Sequence, residues 1–261
     1  MSTQAQISGY SAEETVKRIV VWSVPRSAST LLERTFLQRQ DTKVFHEPYS
    51  EAFYFGLDRC SNRYAKQSPD PKISFATVTQ ELLANHHDKK LVFIKDMAYY
   101  VADKIDTSVL DKFTNTFIIR DPMECIPSLY RMSQKLFEAG FDPQEIGYHQ
   151  LWKLYEIVFK ELEQPAIIVD STDLRQKPKE LLEAYCTAIG IAFEEKMLHW
   201  EPREVPVWDK WEEWHTEAQN NDRFYPPPNP KTQPAPPDHL MPLIDECQPI
   251  YQALYSKRLL V

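Results

Sequence analysis

Five short apolar runs set the terms on which this chain can fold: 18–24 (RIVVWSV), 42–47 (TKVFHE), 90–96 (KLVFIKD), 115–120 (NTFIIR) and 165–170 (PAIIVD). Each is too continuously apolar to leave one face in water, so each reads as a strand buried on both faces, the habit of parallel sheets. Helical patterns lie between or after them at 28–39, 74–86, 122–138, 143–163 and 177–189, the last stopped by Gly190. Strand and helix in alternation predict an α/β domain of three layers, α/β/α, around a parallel sheet of about five strands. Ligands of such a sheet sit at the carboxyl ends of its strands.

From residue 200 the pattern changes, because four of the six Trp and most of the 20 Pro fall in the last 62 residues. The expected organisation is an α/β domain over 18–200 and a Trp/Pro-rich extension over 201–261 packed on the same domain. That extension reads as an aromatic wrap, a Pro-rich arm near 225–243 and one terminal helix. A net charge of −8 argues against a surface that tracks nucleic-acid phosphates and leaves room for a local basic pocket. The four cysteines, Cys60, Cys125, Cys186 and Cys247, have neither metal-like nor disulfide-framework spacing. They are expected reduced and mostly buried. The first residues carry no apolar leader core, and no run approaches the ~18 apolar residues of a membrane span, so a cytoplasmic protein is expected.

The loop after the first run, VPRSASTLL (residues 24–32), joins a buried strand to a helix through small hydroxylated residues and one Arg. Backbone N–H groups and the positive end of the helix point at whatever lies above such a turn, which makes it an anion site. Arg26 adds a forked cation, and Ser27, Ser29 and Thr30 add hydroxyls. A Ser or Thr helix cap with a solvated Arg26 is the plainer alternative. The loop has no Gly and no Lys, so it is not the nucleoside-triphosphate loop G-x-x-x-x-G-K-[ST], and a kinase-like enzyme is disfavoured. A second strand end, FIIRDPMECIPSLYRM (117–132), brings Arg120 and Asp121 to a helix begun by Pro122, with Ser128 about two turns on.

Together these segments resemble the sulfotransferase family, whose members bind 3′-phosphoadenosine 5′-phosphosulfate (PAPS) with a P-R/K-S-G-S/T-T loop and an R-D-P-x(5)-S segment. The resemblance extends over about 18–200 by order of elements, is sharpest in these two motifs, FHEP and FIKDM, and implies a P-loop NTPase-like sulfotransferase fold. It assigns Arg26, Ser27, Ala28, Ser29 and Thr30 to the 5′-phosphosulfate, and Arg120 with Ser128 to the 3′-phosphate. Arg120 could instead pair with Asp121 or another acid at the strand end. Ala28 stands where the family usually has Gly, which is tolerable if its φ is helical and not positive.

Sulfuryl transfer to an alcohol needs a base and cations, with no metal in principle. The phenol enzymes of the family carry a catalytic His in a K-x-H pattern after the third strand; here the pattern reads KDM, with Lys95 kept and Met97 in the His position. His46 and Glu47, at the end of the second run, supply the alternatives. Pro48 should hold the residue before it extended and end the strand there. Other branches of the family place a Glu in this region, so Glu47 is the expected base, with His46 orienting it or the acceptor. Period-2 alternation lets one of the two face the transferring group. Lys95 either pairs with Asp96 or faces the bridging oxygen of the donor. Tyr49, Phe53, Tyr54, Phe55, Tyr99 and Tyr100 follow the same strand ends and suggest a small, apolar or aromatic alcohol as acceptor. The segment Trp200 to Trp214 could cover the adenine or close the pocket, and Asn221 and Arg223 occupy a region that in relatives meets nucleotide. The other readings are a nucleotide-binding protein of this fold without transfer activity and a kinase-like phosphotransferase.

Overall fold

The five apolar runs all become strands: β1 (Lys17–Ser23), β2 (Thr42–His46), β3 (Leu91–Met97), β4 (Thr114–Ile119) and β5 (Ile167–Asp170). Their ends lie within two residues of the sequence expectation. The computed structural model describes residues 16–86, 88–137, 140–202, 204–226 and 235–261. The strands form one sheet in the order β2-β3-β1-β4-β5, every pairing parallel. Alternation along β1 divides the two cores, with Ile19 and Val21 entering one and Val20 and Trp22 the other.

Helices cover both faces. After β1 comes α1 (Ser29–Phe36); α2 (Tyr49–Phe55) and α3 (Phe75–Leu83) lead to β3; α4 (Ala98–Val101) and α5 (Thr107–Leu110) lead to β4. Then α6 (Pro122–Leu136) and α7 (Tyr148–Glu156) lead to β5, followed by α8 (Ser171–Gln176), α9 (Pro178–Ala188), α10 (Glu212–Asn220) and α11 (Met241–Tyr255). Residues of α1, α8 and α9 fill the core on one face, and residues of α2 to α7 and α11 fill the other. Phe36 of α1 stacks on Phe93 of β3 with ring centroids 3.7 Å apart. That contact anchors the helix, and so places the loop before it. The chain leaves β1 toward β2 on one side of the sheet and leaves β4 toward β5 on the other. The loops after these two neighbouring strands therefore diverge and leave a crevice at the carboxyl edge.

Three helix expectations change. The stretch 143–163 is broken by Gly147 at φ 82, which only a residue without Cβ adopts freely, and ends in a π-helical turn over Ile157–Glu161. The stretch 177–189 gains a preceding helix, α8, because the Asp170 carboxylate accepts from the Thr172 and Asp173 N–H groups and caps it. The extension, expected to be largely irregular, holds a 3₁₀ turn over Pro206–Trp211 and then α10. The middle of the Pro-rich arm, 227–234, lies outside the described residues, and its end is already helical from Met241. The terminal helix is present as α11. Cys125, Cys186 and Cys247 are buried, Cys60 is exposed, and all four are unpaired. No helix among the described residues is long and apolar enough to cross a membrane.

Candidate active site

The loop after β1 makes its turn with two residues in the left-handed region, Arg26 at φ 64 and Ala28 at φ 65. The condition under which Ala28 is readily tolerated, a φ that is not positive, is thus not met. Its carbonyl must swing under α1 to accept from the Leu31 and Leu32 N–H groups at 3.0 and 3.3 Å. For Ala this conformation costs roughly 1–2 kcal/mol, whereas Gly would give back about 0.4–1 kcal/mol through the unfolded chain. Ala28→Gly should therefore raise stability by roughly 0.5–1 kcal/mol, read as a higher denaturant midpoint. A lower midpoint would mean that the methyl packs better than its backbone is strained. The Ser27 hydroxyl is buried and donates to the Val24 carbonyl at 2.7 Å, so it braces the turn. Arg26, Ala28, Ser29 and Thr30 line a cavity of about 230 Å³ above the carboxyl edge of the sheet.

The second motif arrives from β4. Asp121 caps α6 by accepting from the Met123 N–H at 2.9 Å, and Pro122 opens the helix. Arg120 does not pair with Asp121: its Nε and Nη2 donate to Glu124 Oε2 at 2.9 and 2.8 Å, one helical turn on. Its Nη1 donates to the Arg26 carbonyl at 2.8 Å. Arg26 in turn donates through Nε to Ser128 Oγ at 3.2 Å. Two motifs about ninety residues apart in the chain are thereby bonded to each other across the crevice. Arg131 and Arg175 join Arg120 and Ser128 on this wall. Burial depresses the Arg175 guanidinium, and the charge of Arg120 depresses it further. Arg131 was findable, since it lies three residues after Ser128 on one helix face. Arg175 follows a different strand, and no sequence pattern pointed to it.

On the opposite wall Glu47 leaves β2 at φ 46, so it is not extended before Pro48 as expected. Its N–H is held by the Lys95 carbonyl at 2.7 Å, and its carbonyl by Ser50. This left-handed step ends the strand alternation. Glu47 lines the cavity, while the His46 ring lies behind it with Nε2 3.6 Å from Glu47 Oε1. Lys95, fully buried, donates to Glu47 Oε1 and not to Asp96, which lies on the other face of β3 and accepts from the Tyr49 and Met97 N–H groups. Tyr100 donates to Glu47 Oε2 at 3.0 Å. Burial pushes the Glu47 carboxyl up, but the Lys95 ammonium, with the hydrogen bonds from Lys95 and Tyr100, outweighs it and holds it below its usual value. Burial pushes Asp96 well above its usual range.

The aromatic residues divide. Tyr54, Tyr99 and Tyr100 line the cavity, whereas Tyr49 is buried with its hydroxyl on Thr79. Phe53 packs edge-on against Tyr54 and Tyr99, and Phe55 packs against Tyr64. Tyr54 donates to Glu145 Oε1 at 3.0 Å, and Arg63 pairs with the same carboxylate at 2.5 Å. From the Trp-rich stretch, Trp211 and Trp214 reach the cavity, with Phe137 and Tyr64 beside them. Trp200 packs on Phe224 and donates to the Asn221 carbonyl, and Arg223 pairs with Asp222, away from the lining.

Sequence reasoning missed a buried chain of polar groups under this wall. Trp208 Nε1 donates to Glu33 Oε1 at 2.8 Å, and Glu33 Oε2 lies 2.7 Å from His46 Nδ1. His46 Nε2 lies 2.9 Å from His215 Nε2, and His215 Nδ1 lies 3.4 Å from Thr30 Oγ1. His46, Glu47 and His215 each bring one ligand-type atom within 4.8 Å of the others. Lys95 already rests on the Glu47 oxygen and Glu33 on the His46 ring, so protein groups satisfy the cluster.

The model of the sulfotransferase domain family matches residues 17–258. Branched-chain-amino-acid aminotransferase-like protein 2 of Arabidopsis thaliana is 27% identical over 240 residues, 90% of this chain and 41% of that protein. The chain thus spans about two fifths of the length of the curated relatives it matches. Among solved structures, the sulfotransferase domain from the curacin biosynthetic pathway aligns with a TM-score of 0.47 and 18% identity, covering 93% of this chain and 97% of that one. The sulfotransferase domain of the Synechococcus PCC 7002 olefin synthase aligns with a TM-score of 0.47 and 16% identity over 94% and 98%.

Proposed function

The chain belongs to the sulfotransferase domain family, and on that premise we propose that it moves the sulfuryl group of PAPS to a hydroxyl of a small, apolar or aromatic metabolite. The observation that carries the reading is the bonding of the two motif loops around one cavity, Arg120 to the Arg26 carbonyl and Arg26 to Ser128. In a chain of net charge −8, this cavity is lined by Arg26, Lys95, Arg120, Arg131 and Arg175 against Glu47, Glu124 and Glu145. Such a surplus of cations fits a polyanionic nucleotide.

In this reading Arg26, Ser29, Thr30 and the N-terminus of α1 hold the phosphosulfate, and Arg120 with Ser128 holds the 3′-phosphate. The acceptor hydroxyl lies against Tyr54, Tyr99 and Tyr100. Glu47 takes its proton as the acceptor oxygen bonds to sulfur and the bond from sulfur to the phosphate oxygen breaks. As that bond lengthens, Lys95 follows the developing charge to the phosphate oxygen, and 3′,5′-ADP leaves. The move uncovers Glu47 Oε1 and raises its basicity when a base is needed. Unpaired cysteines fit a reducing compartment, and a cytoplasmic site of action is part of the proposal.

A thermal-shift comparison of 3′,5′-ADP with ATP and Mg²⁺ tests the donor. Selective ligand binding to the native state raises apparent stability by about 2.7 kcal/mol at a hundredfold excess over Kd. Stabilisation by 3′,5′-ADP alone is expected. Stabilisation by ATP alone would replace the reading with a phosphotransferase. Mass-spectrometric screening of alcohols with PAPS then identifies the acceptor, and PAPS binding without any sulfated product would leave a nucleotide-binding protein.

A further inference from the structure

Resting on the assignment of the phosphosulfate to the loop after β1, we propose that His215 takes up a proton as the phosphosulfate binds and becomes a cationic hydrogen-bond donor to it. His46 and Glu33 act as positioning residues behind it. The proposed starting state has Glu33 ionised and His46 neutral, and the hydrogen-bond chain accommodates it. Trp208 Nε1–H can only donate, so Glu33 receives from it at Oε1, and an ionised Glu33 receives from His46 Nδ1–H at Oε2. A neutral His46 then has its lone pair at Nε2, which obliges His215 to donate from its own Nε2 across 2.9 Å. The remaining nitrogen, His215 Nδ1, carries a lone pair aimed at Thr30 Oγ1, 3.4 Å away at the start of α1. His215 also lines the cavity from α10.

A dianionic phosphosulfate over Thr30 reverses what is favourable there. The Thr30 hydroxyl turns to donate to the anion, and a bare imidazole lone pair beside that anion repels it. One proton on Nδ1 converts the repulsion into a charge-assisted bond. The rest of the chain stabilises the resulting imidazolium, because Nε2–H still donates to His46 and His46 still donates to the fully buried Glu33 carboxylate. The titratable and charged groups facing the ring are Lys95 from β3, Arg26 from the loop, and His46 at the end of β2 with Glu47 beyond it. Burial, together with the Lys95 and Arg26 cations, holds the ring neutral in the free protein. An arriving anion cancels those cations while the Glu33 charge behind His46 stays in place, which favours the proton.

The probe is adenosine 5′-phosphosulfate, which has no group titrating near neutrality, so that any proton taken up belongs to the protein. Calorimetric titration in buffers of different ionisation enthalpy, repeated between about pH 6 and pH 9, counts that proton. Wild type should take up a number approaching one per site. Because the bound state holds the extra proton, its affinity should fall as pH rises, by up to about tenfold per pH unit. His215→Gln should bind roughly ten- to a hundredfold more weakly at neutral pH and take up none. His46→Gln should cut the uptake while His215 is still present, an effect that loss of packing would not produce. Wild-type binding without proton uptake overturns the inference, a result that needs no variant to fold. Equal uptake in wild type and His215→Gln overturns it too. If adenosine 5′-phosphosulfate and PAPS both fail to bind wild type, the donor assignment falls, and this inference with it.

Discussion

Glu47→Gln should lower kcat by about 10²–10⁴, the usual contribution of a general base, while PAPS binding is retained or tightened. Gln fits the site. Its amide oxygen can accept from Lys95 and its NH₂ can donate to Tyr100, whose hydroxyl rotates to receive it. What Gln lacks is the negative charge, so it cannot take the acceptor's proton, and it leaves the fully buried Lys95 ammonium without a counterion. Breaking a buried pair costs about 3–5 kcal/mol when one partner is simply deleted, and the retained hydrogen bond should make the loss smaller. A donor analogue brings negative charge to Lys95, so 3′,5′-ADP should raise the melting temperature of the variant more than that of wild type. The pH dependence has a definite sign. Glu47 is held below its ordinary carboxyl value, so the stability it contributes is present above that value and lost as pH falls through the depressed one. The variant should lack this acid-side loss. His46→Gln is the matched comparison and should lose less activity. Near-normal turnover in Glu47→Gln with an inactive His46→Gln would move the base to His46.

The sheet was legible because its evidence is local: a β-branched run such as RIVVWS is buried on both faces whatever lies beside it. The two motif loops were legible for a related reason, since a strand end, a small-residue turn and a helix start are adjacent in the chain. Backbone conformation at the turns was not. Ala28 and Glu47 take positive φ because the α1 N–H groups and the Lys95 carbonyl demand it, and neither partner is visible in the two residues themselves. Glu33 and Arg34 show the same limit in side chains. In STLLERTF they occupy what reads as the wet face of an amphipathic helix, yet both are buried. The aromatic wrap covers them: Trp208 bonds Glu33, and the Arg34 guanidinium lies 5.1 Å from the Trp208 ring centroid and 5.9 Å from that of Trp200. His215 was hidden for the same cause, because 182 residues separate it from Glu33 and its helix carries no strong apolar period.

Arg120→Ala should weaken 3′,5′-ADP about ten- to a hundredfold and adenosine 5′-phosphosulfate far less, because a charge-assisted contact to phosphate is worth roughly 1.5–3 kcal/mol and the second ligand has no 3′-phosphate. The difference between the ligands is the diagnostic quantity. Arg120 also holds the Arg26 carbonyl, so its loss should loosen the phosphosulfate loop and weaken both ligands to some common extent. Equal losses would mean that bracing this loop is its whole role. Glu124 supplies an independent check of opposite sign. Its Oε2 occupies two of the Arg120 donors, Nε and Nη2, and a 3′-phosphate must compete for them. Glu124→Gln keeps the size of the side chain, removes the competing charge, and should tighten 3′,5′-ADP severalfold without changing adenosine 5′-phosphosulfate. If it weakens 3′,5′-ADP instead, Glu124 orients Arg120 toward the phosphate, and the ion pair belongs to the bound state as well as the free one.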